Sequence, residues 1–151
     1  MELTLLLKAA IEAQKQAHAP YSTKFIGASV LWSDGSITSG CNIENASYGA
    51  TVCAERVAIW KGLSENRLRR IKEILVVSPS IPAWPPCGMC RQVISEFANP
   101  QTLIHWSSSD GSGSGSGSDS GSSRSNGEPS STIQTKTFAE MLPEAFTSQF
   151  L

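Results

Sequence analysis

The stretch from Ile71 to Val77 constrains this chain more than any other feature, because it closes on the unbroken apolar run Ile74-Leu75-Val76-Val77. An apolar strand without polar alternation is covered on both faces, so it belongs inside a sheet that carries helices. Its flanks agree. Before it, Thr51 to Leu63 sets Val57, Ile59, Trp60 and Leu63 at helical spacing. After it, a Pro-rich loop (Pro79, Pro82, Pro85, Pro86) leads into a predicted helix from Gly88 to about Phe97.

The remaining elements extend that pattern. Leu3 to Gln16 places Leu3, Leu6, Leu7, Ala10, Ile11 and Ala13 at helical spacing and stops at Pro20. Ile26 to Leu31 and Ile37 to Glu44 flank the turn signal Ser33-Asp34-Gly35-Ser36, a hairpin. Leu103 to Trp106 and Thr132 to Lys136 read as two short strands, and Thr137 caps a last helix through Met141, closed by Pro143. A leading hairpin followed by helical crossovers predicts a mixed sheet with helices packed on it, hence an α/β fold.

One segment stands apart. Residues 107–131 hold 13 Ser and 6 Gly and no hydrophobic residue, so the 40% hydrophobic content is carried by the other 126 positions. The expectation is a single domain over 1–151 with a slack Ser/Gly loop at 107–131 between its last two strands. Loop-closure entropy grows only slowly with length, so such an insertion is tolerated.

Charge excludes some functions. Twelve basic against 13 acidic side chains leave a net charge of −1, too balanced for a protein that works by neutralising phosphates. No apolar run reaches the length of a transmembrane helix, and Leu5–Leu7 is too short, and wrongly flanked by Glu2 and Lys8, for a secretory signal. The expectations are therefore a cytoplasmic protein with no nucleic-acid or membrane partner, and four reduced cysteines serving metal or catalysis.

The chemistry concentrates in two motifs, Cys53-Ala54-Glu55 and Pro86-Cys87-Gly88-Met89-Cys90, each at a predicted helix start. Cys87 and Cys90, three apart, can face one ion, and Cys53 supplies a third ligand. Three ligands leave an open position, the mark of catalytic rather than structural zinc. Helix N-termini also favour thiolates. Glu55, two residues after a ligand, lies beside the metal without binding it and can serve as general acid and base. A structural zinc site is the competing reading, but it needs a fourth ligand; Cys41 is the one spare cysteine, and His18 and His105 show no ligand spacing.

With these motifs the chain resembles the zinc-dependent cytidine deaminases, in particular their short homotetrameric form. The blocks that carry the resemblance are Ala19-Pro20-Tyr21-Ser22, Gly27-Ala28, Asp34-Gly35 and Gly40-Cys41-Asn42-Ile43-Glu44-Asn45-Ala46-Ser47-Tyr48-Gly49. Cys53-Ala54-Glu55-Arg56, Pro86-Cys87-Gly88-Met89-Cys90-Arg91-Gln92 and Met141-Leu142-Pro143-Glu144-Ala145-Phe146 continue them. The resemblance implies a three-layer α-β-α fold with a mixed five-stranded sheet and one zinc per chain. It also implies deamination of cytidine or deoxycytidine in pyrimidine salvage, with Glu55 shuttling protons from the attacking water to N3 and to the departing ammonia.

The resemblance further assigns Asn42 and Glu44 to the ribose 3′-hydroxyl, which agrees with their two-residue spacing on a predicted strand face. Arg56 and Gln92 are expected to hydrogen bond to ligand sulfurs and offset their charge. Tyr48 and Phe146 are expected at sites shared between subunits of a homotetramer, Phe146 packing on the base. The family's base-stacking aromatic falls at Lys24, with Phe25 one position later, so Phe25 is either the stacking residue, restored by a bulge, or a core side chain. Trp32, Trp60 and Trp106 read as core or interface residues. Two alternatives to the main reading are a deaminase of a modified cytosine nucleoside and a non-catalytic zinc-stabilised binding module.

Overall fold

The computed structural model describes residues 2–109 and 133–150. Helix α1 (Glu2–Gln14) leads into the hairpin β1 (Gly27–Trp32) and β2 (Ile37–Cys41). Then come α2 (Ala54–Glu65), β3 (Ile71–Ser78), α3 (Gly88–Ser95) and β4 (Leu103–Ser108). The chain closes with β5 (Gln134–Thr137), the one-turn α4 (Phe138–Met141) and a short 3₁₀ turn, Ser148–Phe150. The sheet order is β2-β1-β3-β4-β5. Only β3 and β4 run parallel; the other neighbours are antiparallel. This is the mixed five-stranded sheet the element order implies, with β3 at its centre.

Both faces of β3 are covered, as its composition requires. On one face Leu6 and Ala10 of α1 pack on Leu31, Leu75 and Val77. On the other, Ala54, Ala58 and Ile59 of α2 and Ile94 of α3 pack on Ala28, Val30, Ile74, Val76 and Ile104. Each fully buried Leu or Ile here contributes about 1.5–3 kcal/mol relative to exposure. The result is three layers. Trp32 and Trp106 are in the core, whereas Trp60 is 46% exposed on the outer side of α2, which removes the core reading for it and leaves the interface one.

Two ends differ from expectation. Strand β2 stops at Cys41, before Asn42, and α2 starts at Ala54 rather than Thr51. Beyond Cys41 the chain makes only an isolated bridge, Ile43 to Val52, and a 3₁₀ turn at Tyr48–Ala50 before reaching Cys53 at the N-cap position of α2. Of the Ser/Gly stretch, Ser107 and Ser108 complete β4 opposite Val77 and Ser78, and Ser107 is fully buried, so the insert cannot begin at 107. Residues 110–131 of that stretch, and Thr132, lie outside the described residues. Among the described residues no helix is long and apolar enough to cross a membrane.

Register explains why two distant segments meet. Gly27 pairs with both Cys41 and Val77, so β2 and β3 end at one edge of the sheet. The chain leaving β2 arrives at the start of α2, and the chain leaving β3 arrives at the start of α3. Two helix N-termini therefore point to the same edge.

Candidate active site

Cys53 is the N-cap of α2 and Cys87 the N-cap of α3, both with extended backbone angles and neither side chain capping its own helix. Cys90 lies in the first turn of α3. The three sulfurs fall within 4.8 Å of one another, and Cys53 Sγ is 3.9 Å from Cys87 Sγ. A tetrahedral ion with Zn–S bonds of about 2.3 Å needs sulfurs about 3.8 Å apart, so the pair has the right span. Cys90 is buried and Cys87 exposed, which leaves one side of the cluster open. Among the described residues the cluster contains no fourth ligand. The donor set fits zinc with a free position.

Electrostatics favour a bound cation. A hydrogen bond from Cys90, more than the adjacent Arg56 guanidinium, brings the Cys53 thiol down to about 5. Cys90 moves strongly the other way, as donor to Cys53 and as a buried group. Three thiols this close cannot all ionise unaided, and a divalent cation relieves that repulsion. Glu55, in the first turn of α2, is only 4% exposed. Burial is the main reason its carboxyl is pushed up to about 7, and the neighbouring Cys53 charge adds to it.

Arg56 lies behind the sulfurs. Its Nη2 is 3.5 Å from Cys53 Sγ and 3.4 Å from the Thr51 carbonyl, and its guanidinium sits 5.9 Å from the Trp60 ring centroid. Its Nε is buried without a partner. Gln92 does not follow the same expectation. Its amide donates to the Phe146 carbonyl at 2.9 Å and to Ser95 Oγ at 3.2 Å, not to a sulfur. The reason is helical: two residues beyond Cys90 is a turn of about 200°, away from the cluster.

Next to the cluster, on the Thr51 side, Tyr21, Ser22, Glu44, Tyr48 and Thr51 line an open groove of about 340 Å³. Glu44 accepts from the backbone N–H of Tyr21 (2.9 Å) and Ser22 (3.2 Å) and from the Ser22 hydroxyl. The hydroxyl bond is the largest cause of its lowered pKa. Tyr48 meets Tyr21 edge to face at 5.8 Å. Asn42 is buried beneath, accepting from Ile26 N and donating to the Lys24 carbonyl, each at 2.8 Å. The strand-face argument for Asn42 and Glu44 is thus corrected, since neither lies in a strand; both instead turn to the segment 21–26.

Phe25 is 41% exposed and therefore not a core side chain. Thr23, with φ at 56°, breaks the extended path before it, and Gln14 Nε2 holds the Phe25 carbonyl at 2.7 Å. Phe146 is exposed on the C-terminal segment and stacks on Phe150 at 5.7 Å. The structure thus gathers Cys53, Cys87, Cys90, Glu55 and Arg56 into one cluster, and Glu44 with Tyr48 into the groove beside it. Sequence reasoning missed Ser22, Thr51 and Gln14. Ser22 belonged to a quoted block, but nothing local shows that it meets Glu44.

Comparison with known proteins agrees with this arrangement. Residues 1–105 match the cytidine and deoxycytidylate deaminase zinc-binding region. The chain is 40% identical over 149 residues to a cytidine deaminase of Halalkalibacterium halodurans, covering 99% of this chain and 97% of that protein. It is 35% identical over 151 residues to the cytidine deaminase of Sporosarcina psychrophila, covering 100% and 96%. The crystal structure of cytidine deaminase from Burkholderia pseudomallei superposes with a TM-score of 0.77 at 32% identity, covering 97% of this chain and 100% of that one. Fold and zinc-binding region together define the class, the zinc-dependent hydrolytic deaminases. The chain belongs to the cytidine and deoxycytidylate deaminase family.

Proposed function

We propose that this chain catalyses hydrolytic deamination of cytidine or deoxycytidine, releasing ammonia and the corresponding uracil nucleoside. The observation that carries this reading is the buried Glu55 beside three thiols with a free ligand position. Zinc, when held by Cys53, Cys87 and Cys90, supplies Lewis-acid activation of a water for attack. Glu55 takes one proton as the water attacks C4 and passes it to N3 of the cytosine ring, then takes the second from the new C4 hydroxyl and delivers it to the amino group as the C4–N bond breaks, leaving the C4 carbonyl and ammonia. A carboxyl pushed up to about 7 can hold and release such a proton near neutrality. Arg56 places positive charge beside the Cys53 sulfur and offsets part of the ligand charge.

The groove is the sugar side of the site in this reading. An amide has two donor hydrogens and two acceptor lone-pair sites, so Asn42 keeps one of each for a ribose hydroxyl after binding the 24–26 backbone. Glu44, held by Tyr21 and Ser22, retains acceptor capacity for the same group. Phe25 lies at the base end. Tyr48, Phe146 and Phe150 are exposed large aromatics, which supports a homotetramer whose sites are shared between subunits. A single domain over 1–151 interrupted by the Ser/Gly loop, a cytoplasmic setting and a place in pyrimidine salvage complete the proposal.

The test is the ultraviolet absorbance change of cytidine and deoxycytidine with the zinc-loaded protein, beside a modified cytosine nucleoside. Turnover of the two plain nucleosides is the expected result. Turnover of the modified nucleoside alone would replace this reading with the narrower one, and no turnover with zinc present would reject catalysis.

A further inference from the structure

We infer that Arg91 is a positioning residue that ties the Cys87 loop to the C-terminal segment, so that metal retention and the docking of that segment depend on one side chain. The inference rests on Cys87 as a zinc ligand. Arg91 Nε donates to the Pro86 carbonyl at 2.8 Å, the carbonyl of the peptide that joins Pro86 to Cys87. Its Nη1 donates to the Met141 carbonyl at 3.1 Å, one of the unpaired carbonyls at the end of α4. Among the described residues no carboxylate pairs with Arg91. The planar guanidinium therefore spends its charge on two backbone carbonyls of segments more than fifty residues apart in sequence.

Fork geometry makes the coupling directional. The donors of a guanidinium are fixed relative to one another, so setting one carbonyl limits where the other can lie. The neighbouring Gln92 adds a second tie to the same segment at the Phe146 carbonyl. Both ties meet main-chain oxygens, so they fix the path of residues 141–146 whatever side chains those carry. Lysine can reach one of the two carbonyls with a point charge but cannot span both in a plane.

The experiment compares the full-length parent with Arg91→Ala and Arg91→Lys, each loaded with zinc. It follows metal release into excess chromogenic chelator and measures KM and kcat for cytidine. Leu6→Ala, in the core on the opposite face of the sheet, controls for general destabilisation. Arg91→Ala is expected to release zinc about 10-fold faster than the parent, with a raised KM, and Arg91→Lys to fall between. Added methylguanidinium should slow release from Arg91→Ala. Release within two-fold of the parent, or equally fast release from Leu6→Ala at matched Tm, would overturn the inference. If Arg91→Ala does not fold, Arg91→Lys carries the same comparison. A parent that binds no stoichiometric zinc would instead reject the ligand set.

Discussion

A β-carbon built on Gly40 would stand 2.6 Å from the backbone nitrogen of Ala58, so β2 and α2 touch main chain to main chain. Thr38, two residues earlier on β2, donates its hydroxyl to the Ala58 carbonyl at 2.9 Å. Together they seat the first turns of α2, and with them Cys53 and Glu55, directly on the sheet. Gly40→Ala should therefore destabilise the fold by about 1–3 kcal/mol and reduce activity beyond what the unfolded fraction explains. Denaturant unfolding beside kcat/KM measures both, and an unchanged midpoint would remove the close-contact argument.

Glu55→Gln keeps the shape of the side chain and removes its ability to take a proton. Turnover of cytidine should fall by about 10²–10⁴-fold while zinc content stays at one per chain. Metal analysis beside the absorbance assay separates loss of proton transfer from loss of metal.

Zinc removal should abolish activity without unfolding the chain. The thiols sit at helix ends, and the core cluster of Ala58, Ile59, Ile74, Ile94 and Ile104 contains none of them. After chelation far-UV circular dichroism should remain near the holo signal, and added zinc should restore turnover. Collapse of the signal would make the metal part of the fold instead.

His105 lies in β4, paired with Leu75 on one side and Thr135 on the other. The residue is 3% exposed, with Nδ1 2.8 Å from Thr135 Oγ1 and Nε2 3.3 Å from Glu73 Oε2. Burial lowers its pKa more than Glu73 raises it. The unfolded chain therefore takes up a proton, near pH 6.5, that the folded chain refuses, so stability falls as pH falls through that value. Urea midpoints between pH 7.5 and 5.5 should show the loss, and His105→Gln should flatten it.

Much of this was legible in sequence because it depends on local pattern. The all-apolar end of β3 required two covering layers, and helix starts at Cys53 and Cys87 required two thiol-bearing N-termini. What escaped depends on where the chain bends between elements. Strand β2 ends at Cys41 and leaves Asn42 and Glu44 outside any strand, with only the isolated Ile43–Val52 bridge beyond it, a pairing that neither residue advertises. Gln92 sits two residues past Cys90 in the sequence, yet helical rotation turns it from the sulfurs to the Phe146 carbonyl. Trp60 shows that helical spacing alone does not tell a core position from a flank.

Between Cys53 and Cys87 the chain passes once through the middle of the sheet as β3. The metal ligands are thus the two ends of a span that closes only when β3 lies between β1 and β4. Zinc content then gauges more than occupancy of a site. It registers whether the central strand is seated, and a substitution at Ile74 or Val76 can surface as lost metal before it surfaces as lost secondary structure.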